Sequence, residues 1–307
     1  MLSVIIPAYN EEAMIEKAAS VIGTLLSEEH IPHELIFVDD GSKDLTWEKI
    51  QKRAEVQPEI HGLHFSRNFG KEAAIMAGLT EAEGDCCVII DCDLQHPPEK
   101  ILEMYRLWQD GYEIVEGRKS SRGKEHILHS FAARSFYALI SAATGVDMAN
   151  ASDFKLLDRK AVLVLVNMRE RNAFFRALSS WIGFKTTYVE FDVREREAGE
   201  SKWSPWSLTR YAISNISSFS TVPLQIVTIL GGFMFILSLI LGSIALIQKF
   251  SGQALGGFTT VILLQLFSSS IIMISLGIVG YYIARIYEEI KGRPRYIIAS
   301  HCKKERN

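Results

Sequence analysis

A chain of 307 residues has room for two domains of ordinary size at most. Its 48% hydrophobic and 22% charged residues fit many soluble proteins, and a formal net charge of −3 excludes the basic footprint of a nucleic-acid binder. The charges are unevenly spread, because between Arg210 and Arg285 the only charged side chain is Lys249.

Leu2–Ile6 reads as a first strand. It is too short, and lacks the basic flank, for a secretory signal, which assigns the N-terminal part to the cytoplasm. Glu12–Ser27 has a helical pattern, Leu35–Val38 is a second strand, and Thr46–Arg53 a second helix. Gly62–Phe65, Lys71–Glu81, Cys86–Ile90, Pro98–Trp108 and Glu113–Glu116 continue the alternation. Strands alternating with helices predict an α/β fold with a mostly parallel sheet. Cys86, Cys87, Cys92 and Cys302 lack metal-site spacing and read as buried, reduced cysteines of a cytosolic domain.

Pro223–Ile247 is 25 residues without charge, and at 1.5 Å per residue it spans ~37 Å, enough for a bilayer core. Gly257–Ala284 is a second such run. Basic residues flank the pair on the outside (Arg194, Arg196, Lys202 and Arg210 before, Arg285, Lys291, Arg293 and Arg295 after), whereas the connection carries only Lys249. The positive-inside rule therefore puts both termini in the cytoplasm. Trp203–Phe219 mixes aromatic and polar residues as an interfacial amphipathic segment does.

In open parallel sheets, ligands bind beyond the carboxyl ends of the strands. Tyr9-Asn-Glu11, Asp39-Asp-Gly-Ser42 and Asp91-Cys-Asp93 all fall there. Two carboxylates at i and i+2 suit a hard cation, Mg²⁺ or Mn²⁺, that also binds substrate phosphates. Alone, Asp91-Cys-Asp93 also fits a turn with capping aspartates, and Asp39–Ser42 fits a plain turn.

Together these segments resemble the family 2 glycosyltransferases of GT-A fold. The resemblance rests on Val4–Glu11, Val38–Asp44, Arg67–Lys71, Asp91–Glu99 and Gly117-Arg118. Ala151–Arg159, Phe174–Leu178 and Ala198–Trp203 narrow it to the bactoprenol (undecaprenyl-phosphate) glucosyltransferases and the related dolichol-phosphate mannose synthases. The implied fold is α/β: a GT-A, Rossmann-like nucleotide-sugar-binding domain plus a C-terminal two-helix transmembrane hairpin. The implied organisation is a cytosolic GT-A domain over 1–202, an interfacial segment over 203–222, transmembrane helices over 223–249 and 257–284, and a basic cytosolic tail over 285–307.

The resemblance also implies roles. Pro7, Tyr9, Glu11, Asp39 and Asp40 contact the nucleoside. Asp91 and Asp93 hold Mg²⁺ or Mn²⁺ on the diphosphate, and Gln95 lies near the sugar. Arg118 and Arg134 meet phosphate groups. Arg194, Arg196, Ser201 and Lys202 receive a lipid phosphate. Asp153 is an acceptor-side carboxylate, grouped with Asp91 and Asp93 as catalytic. A phosphate-monoester acceptor is already anionic near neutral pH, so Asp153 is expected to position or stabilise rather than to take a proton. His96 departs from the acidic or amide residue frequent at its place in the family, and it reads as a surface residue at a helix start.

The expected reaction is inverting transfer of a hexose, most simply glucose, from a UDP-sugar to polyprenyl phosphate at the inner membrane. Transfer of N-acetylglucosamine or another hexose, and a non-catalytic nucleotide-sugar-binding scaffold, are the alternatives. A processive polysaccharide synthase is disfavoured because a Gln-x-x-Arg-Trp motif is absent. A homo-oligomer, a tetramer, is implied by family resemblance only.

Overall fold

The structure is a computed structural model that describes residues 1–120, 152–168, 175–192, 222–251 and 257–303. The chain divides into two compact units, Met1–Leu208 with Pro294–Asn307, and Thr209–Arg293.

The first unit is built on an eight-stranded sheet. Its strands are β1 (Leu2–Ala8), β2 (His33–Asp39), β3 (Ile60–Phe65), β4 (Cys86–Ile89), β5 (Ile114–Lys119), β6 (Lys155–Asp158), β7 (Thr186–Phe191) and β8 (Ile298–Cys302). The order is β7-β5-β6-β4-β1-β2-β3-β8. Strands β4, β1, β2 and β3 run parallel, β6 and β8 run antiparallel to their neighbours, and β7 is parallel to β5. Helices α1 (Ile15–Glu28), α2 (Thr46–Val56), α3 (Lys71–Glu81), α4 (Lys100–Gln109), α5 (Arg159–Asn167) and α6 (Phe175–Trp181) accompany the sheet.

The central strands are continuous apolar runs because both faces are covered. Every residue of β1 except Pro7 is buried. α1 buries Ile15, Ala18, Ala19, Ile22 and Leu26, a single stripe at helical spacing. Burying one such Ile or Leu stabilises the fold by roughly 1.5–3 kcal/mol.

The predicted strands and helices of the first half are present. α1 starts at Ile15 rather than Glu12, because residues 12–14 form a turn in which Met14 N–H bonds to the Glu11 carbonyl at 2.9 Å. Strands β6, β7 and β8 and helices α5 and α6 were not anticipated. The stretch 285–307, read from sequence as a basic tail, contains edge strand β8, which pairs antiparallel with β3. Tyr296 stacks on Phe65 just before it, with ring centroids 5.1 Å apart.

The second unit holds α7 (Val222–Phe250) and α8 (Phe258–Ile290), which contact each other. Val227–Phe250 and Leu264–Ile290 are long and apolar enough to cross a membrane, with mean hydropathy 2.4 and 1.8. Ile229, Phe233, Ile236, Met273 and Ile274 are all exposed. Such a surface suits lipid far better than water. The interfacial segment expected over 203–222 falls outside the described residues apart from Val222.

Candidate active site

The sheet directions bring several loop segments to one edge. Among them are the ends of β1, β2, β3, β4 and β5 and, because β6 runs the opposite way, the residue pair Ser152-Asp153 at its start.

The loops are tied to one another by side chain-to-backbone bonds. Asn10 Oδ1 accepts Lys43 N–H at 2.9 Å, Ser42 Oγ accepts Asn10 N–H at 2.8 Å, and Thr46 Oγ1 accepts Glu11 N–H at 2.9 Å. Asp39 is fully buried. Its Oδ1 accepts Ser42 N–H at 3.0 Å, and its Oδ2 lies 2.6 Å from His64 Nδ1. Asp40 reaches the other way and accepts Phe69 N–H at 2.6 Å and Gly70 N–H at 2.9 Å. Burial raises the Asp40 carboxyl above its usual range, and the two N–H donors oppose that shift. Gly41 has φ +67°, and a Cβ there would lie 2.4 Å from the Arg67 carbonyl carbon. Only glycine lets these two loops touch. Asp40 and Gly41 therefore fix the segment that delivers Lys71.

Lys71 begins α3 directly after Gly70, which has φ +99°. Its Nζ lies 2.6 Å from Asp91 Oδ1 and 2.9 Å from Asp153 Oδ2. Arg176, on α6, grips Asp153 with two parallel bonds, Nε to Oδ1 at 2.7 Å and Nη2 to Oδ2 at 2.9 Å. The result is an alternating chain of charge: Asp91, Lys71, Asp153, Arg176. Desolvation opposes the charge on Asp91, Lys71 and Asp153, but the partners outweigh it. Asp153 is held below the usual carboxylate range by Lys71 and Arg176, and Asp91 by Lys71. Lys71 is held above the usual lysine range by Asp153 and Asp91. Glu72, beside Asp153, is instead pushed up to about 8 by burial and that neighbour, against the Phe175 N–H it accepts at 2.8 Å.

Beneath this chain Lys155 is fully buried. It bonds Glu116 Oε1 at 2.7 Å and Ser179 Oγ at 2.8 Å. This pair joins β5, β6 and α6 at the level of Asp153.

The Asp91–Leu94 turn closes with Leu94 N–H on the Asp91 carbonyl at 3.3 Å, and Leu94 takes φ 54°. Asp93 Oδ1 accepts Gln95 N–H at 3.1 Å. His96 is a correction to the sequence reading. It is buried rather than on the surface, stacked on Phe154 at 5.1 Å and edge-on to Phe191 at 5.3 Å. Its Nδ1 lies 3.9 Å from Asp91 Oδ2, and burial keeps the ring's pKa below the ordinary value. An aromatic slot made by Phe154, just before β6, and Phe191, at the end of β7, makes this position interior, and the sequence pattern predicts neither strand.

On the β1 side, Pro7 and Glu11 are partly buried and Tyr9 is exposed. Arg118, near the end of β5, lies 4.1 Å over the Tyr188 ring and 3.7 Å from Glu116 Oε2. Arg134, Arg194, Arg196, Ser201 and Lys202 lie outside the described residues. The structure adds Lys71, Glu72 and Arg176 to the site. Lys71 and Arg176 stood inside segments that carried the resemblance, but spacing gave no reason to pair them with Asp153, which is 82 and 23 residues away.

Residues 3–163 match the domain described as glycosyl transferase family 2. The chain belongs to this family. Relatives extend the likeness over nearly the whole length. An uncharacterized glycosyltransferase of Synechocystis sp. is 38% identical, covering 97% of this chain and 94% of the relative. The bactoprenol glucosyl transferase of Shigella phage SfV is 36% identical over 99% of each chain. A prophage bactoprenol glucosyl transferase homolog of Escherichia coli is 37% identical, over 97% of this chain and 98% of the relative. Among solved structures, glucosyl-3-phosphoglycerate synthase from Mycobacterium tuberculosis with Mn²⁺ and UDP-glucose is 21% identical. It covers 71% of this chain and 77% of its own, with a TM-score of 0.47.

The glycosyltransferase's edge suits a divalent cation of a particular kind. No three His, Cys, Asp or Glu groups converge as a ready-made cage among the described residues. Asp91 and Asp93 supply hard carboxylate oxygens two residues apart. Mg²⁺ is commonly held by one or two carboxylates, with substrate phosphates and water completing the shell. The donor set fits an ion that arrives with a diphosphate.

Proposed function

We propose that this family 2 glycosyltransferase transfers a hexose, glucose in the first instance, from a UDP-sugar to a polyprenyl phosphate, with inversion at the anomeric carbon. The observation that carries this reading is the near end-to-end similarity to proteins named bactoprenol glucosyl transferase. The charge chain at the sheet edge agrees with it.

In this reading Asp91 and Asp93 hold Mg²⁺ or Mn²⁺. When bound, the cation neutralises charge on the departing nucleoside diphosphate. Pro7, Tyr9, Glu11, Asp39 and Asp40 form the nucleoside side, and Gln95 lies by the sugar. Asp39 and Asp40 act chiefly by shaping loops, since both carboxylates are occupied by backbone N–H groups or His64. An oxygen of the acceptor phosphate attacks the anomeric carbon as its bond to the UDP oxygen breaks. That nucleophile is already anionic and needs no strong base. Asp153 is suited to such a reaction as an electrostatic anchor, because a carboxylate paired with Lys71 and Arg176 takes a proton poorly. Arg118 and Arg134 are assigned to phosphate groups. Arg194, Arg196, Ser201 and Lys202 are assigned to the lipid phosphate, since arginine binds phosphate with a planar fork.

The same reading places α7 and α8 across the cytoplasmic membrane as a hairpin, with the catalytic unit and both termini in the cytoplasm. Strand β8 supports an even number of crossings, because the chain after α8 rejoins the sheet that it left before α7.

The test is a panel of UDP-sugars incubated with the purified protein and short-chain polyprenyl phosphate, with lipid products identified by mass. One UDP-hexose should give a polyprenyl-phosphate-linked sugar. UDP release that is indifferent to the lipid phosphate would overturn the acceptor assignment.

A further inference from the structure

We propose that Lys71 is a built-in counter-ion that occupies the carboxylates of the site until a divalent cation and a nucleoside diphosphate arrive together. The proposal rests on the reading of Asp91 and Asp93 as cation ligands.

The geometry is specific. The Lys71 ammonium bridges Asp91 and Asp153 at 2.6 and 2.9 Å. Asp91 is thus shared between its proposed cation and a resident positive charge. The Lys71 side chain is exposed, but the segment that carries it is fixed. Asp40 pins the two residues before Lys71 through their N–H groups, and the Gly41–Arg67 contact holds that loop from behind. The fold therefore aims a cation at the strand end where Asp91 stands. The second anchor, Asp153, is itself held by Arg176. Lys71 consequently keeps an anionic partner if it gives up Asp91.

Two consequences follow from charge balance. Without substrate, the ammonium prevents Asp91 and Asp153 from repelling each other across the edge. A free divalent cation must compete with it for Asp91 and binds weakly. A nucleoside diphosphate brings new anionic oxygens, so cation and nucleotide bind far better together than either does alone. Lys71 would make the site selective for the metal–diphosphate complex over bare metal.

The experiment measures Mn²⁺ binding directly, from the loss of the free-ion electron paramagnetic resonance signal. It uses the full chain in detergent, with and without UDP, and needs no turnover. Lys71→Met and Lys71→Gln remove the charge, and Lys71→Arg keeps it. A neighbouring opposite charge changes a carboxylate's proton affinity by about tenfold to a thousandfold. Without nucleotide, the Met and Gln variants should accordingly bind Mn²⁺ at least about tenfold more tightly than wild type, and should gain less from UDP. Lys71→Arg should stay within a few-fold of wild type. Unchanged or weaker Mn²⁺ binding by the folded neutral variants overturns the proposal, and so does tight nucleotide-free binding by Lys71→Arg. If wild type fails to bind Mn²⁺ even with UDP, the metal reading itself falls and takes this proposal with it.

Discussion

Asp40 accepts the Gly70 N–H at 2.9 Å, so the turn after β2 sets the position of the residue immediately before Lys71. Gly41 completes that link through its contact with the Arg67 backbone. Gly41→Ala should lower both stability and activity. A left-handed alanine costs roughly 1–2 kcal/mol, and the Cβ must also push the Arg67 loop away. Thermal unfolding and turnover, measured side by side, should both fall. A variant with wild-type melting and rate would show that the loop contact is not required.

Asp91→Asn and Asp93→Asn should remove cation-dependent turnover, with a loss of at least about a hundredfold, while the melting temperature changes little. Removing the negative charge of Asp91 also strips Lys71 of one partner, so the two variants need not be equal. Near-wild-type rates for both in Mg²⁺ would sink the metal assignment.

The first half of the fold was legible because its strands are uninterrupted apolar runs and its helices carry one apolar stripe. Their order by itself puts Asp91, Asp39 and Tyr9 at one edge. The later strands were not legible. β6 is only four residues long and contains a fully buried lysine, which reads as a surface residue until Glu116 and Ser179 are seen around it. β7 leaves one face exposed and so lacks the uninterrupted apolar run that marks the central strands. β8 lies beyond two apolar helices, and nothing local ties it to a strand more than 230 residues earlier. With those strands missing, the sequence offered no wall for His96 and no reason to bring Arg176 to Asp153.

Glu72 gives the site a pH signature. Its carboxyl is pushed up to about 8 by burial and by Asp153. The folded chain therefore holds this proton more tightly than the unfolded chain does. The corresponding stability is complete below the ordinary carboxylate range and is lost as pH rises towards about 8. Asp91 and Asp153 act with the opposite sign and only at lower pH, because their values are depressed. His61 and His96, whose values are lowered by burial, act the other way below about pH 6.5 and are common to both proteins, so the melting temperature of wild type minus that of Glu72→Gln should fall from about pH 5 to about pH 8. Parallel curves for the two proteins would count against a proton on Glu72.

The hairpin topology is open to labelling. The native cysteines 86, 87 and 92 are buried, and burial raises the Cys302 thiol to about 11, so background labelling should be slow. In intact cells an impermeant maleimide should reach Ser251→Cys, between the two apolar helices, and miss Lys291→Cys until the membrane is opened. The reverse pattern would invert the topology.

Arg118 and Tyr188 should act as a unit. The guanidinium lies 4.1 Å over the ring, with Glu116 3.7 Å away on its other contact. Arg118 thus has a fixed platform, and among the described residues no further contact of its guanidinium competes with an anion. Losing one charge-assisted contact is worth roughly 1.5–3 kcal/mol. Arg118→Gln should therefore raise the KM of whichever substrate presents phosphate there by about ten- to a hundredfold. Tyr188→Leu removes only the platform. An exposed cation–π contact is worth about 0.5–1 kcal/mol, so a two- to fivefold rise in the same KM is expected, and Tyr188→Phe should behave as wild type. The double variant decides the matter. If the ring works through the guanidinium, adding Tyr188→Leu to Arg118→Gln changes nothing further, a non-additive cycle. Fully additive losses would show that Tyr188 meets the substrate on its own account, and that the contact with Arg118 is incidental.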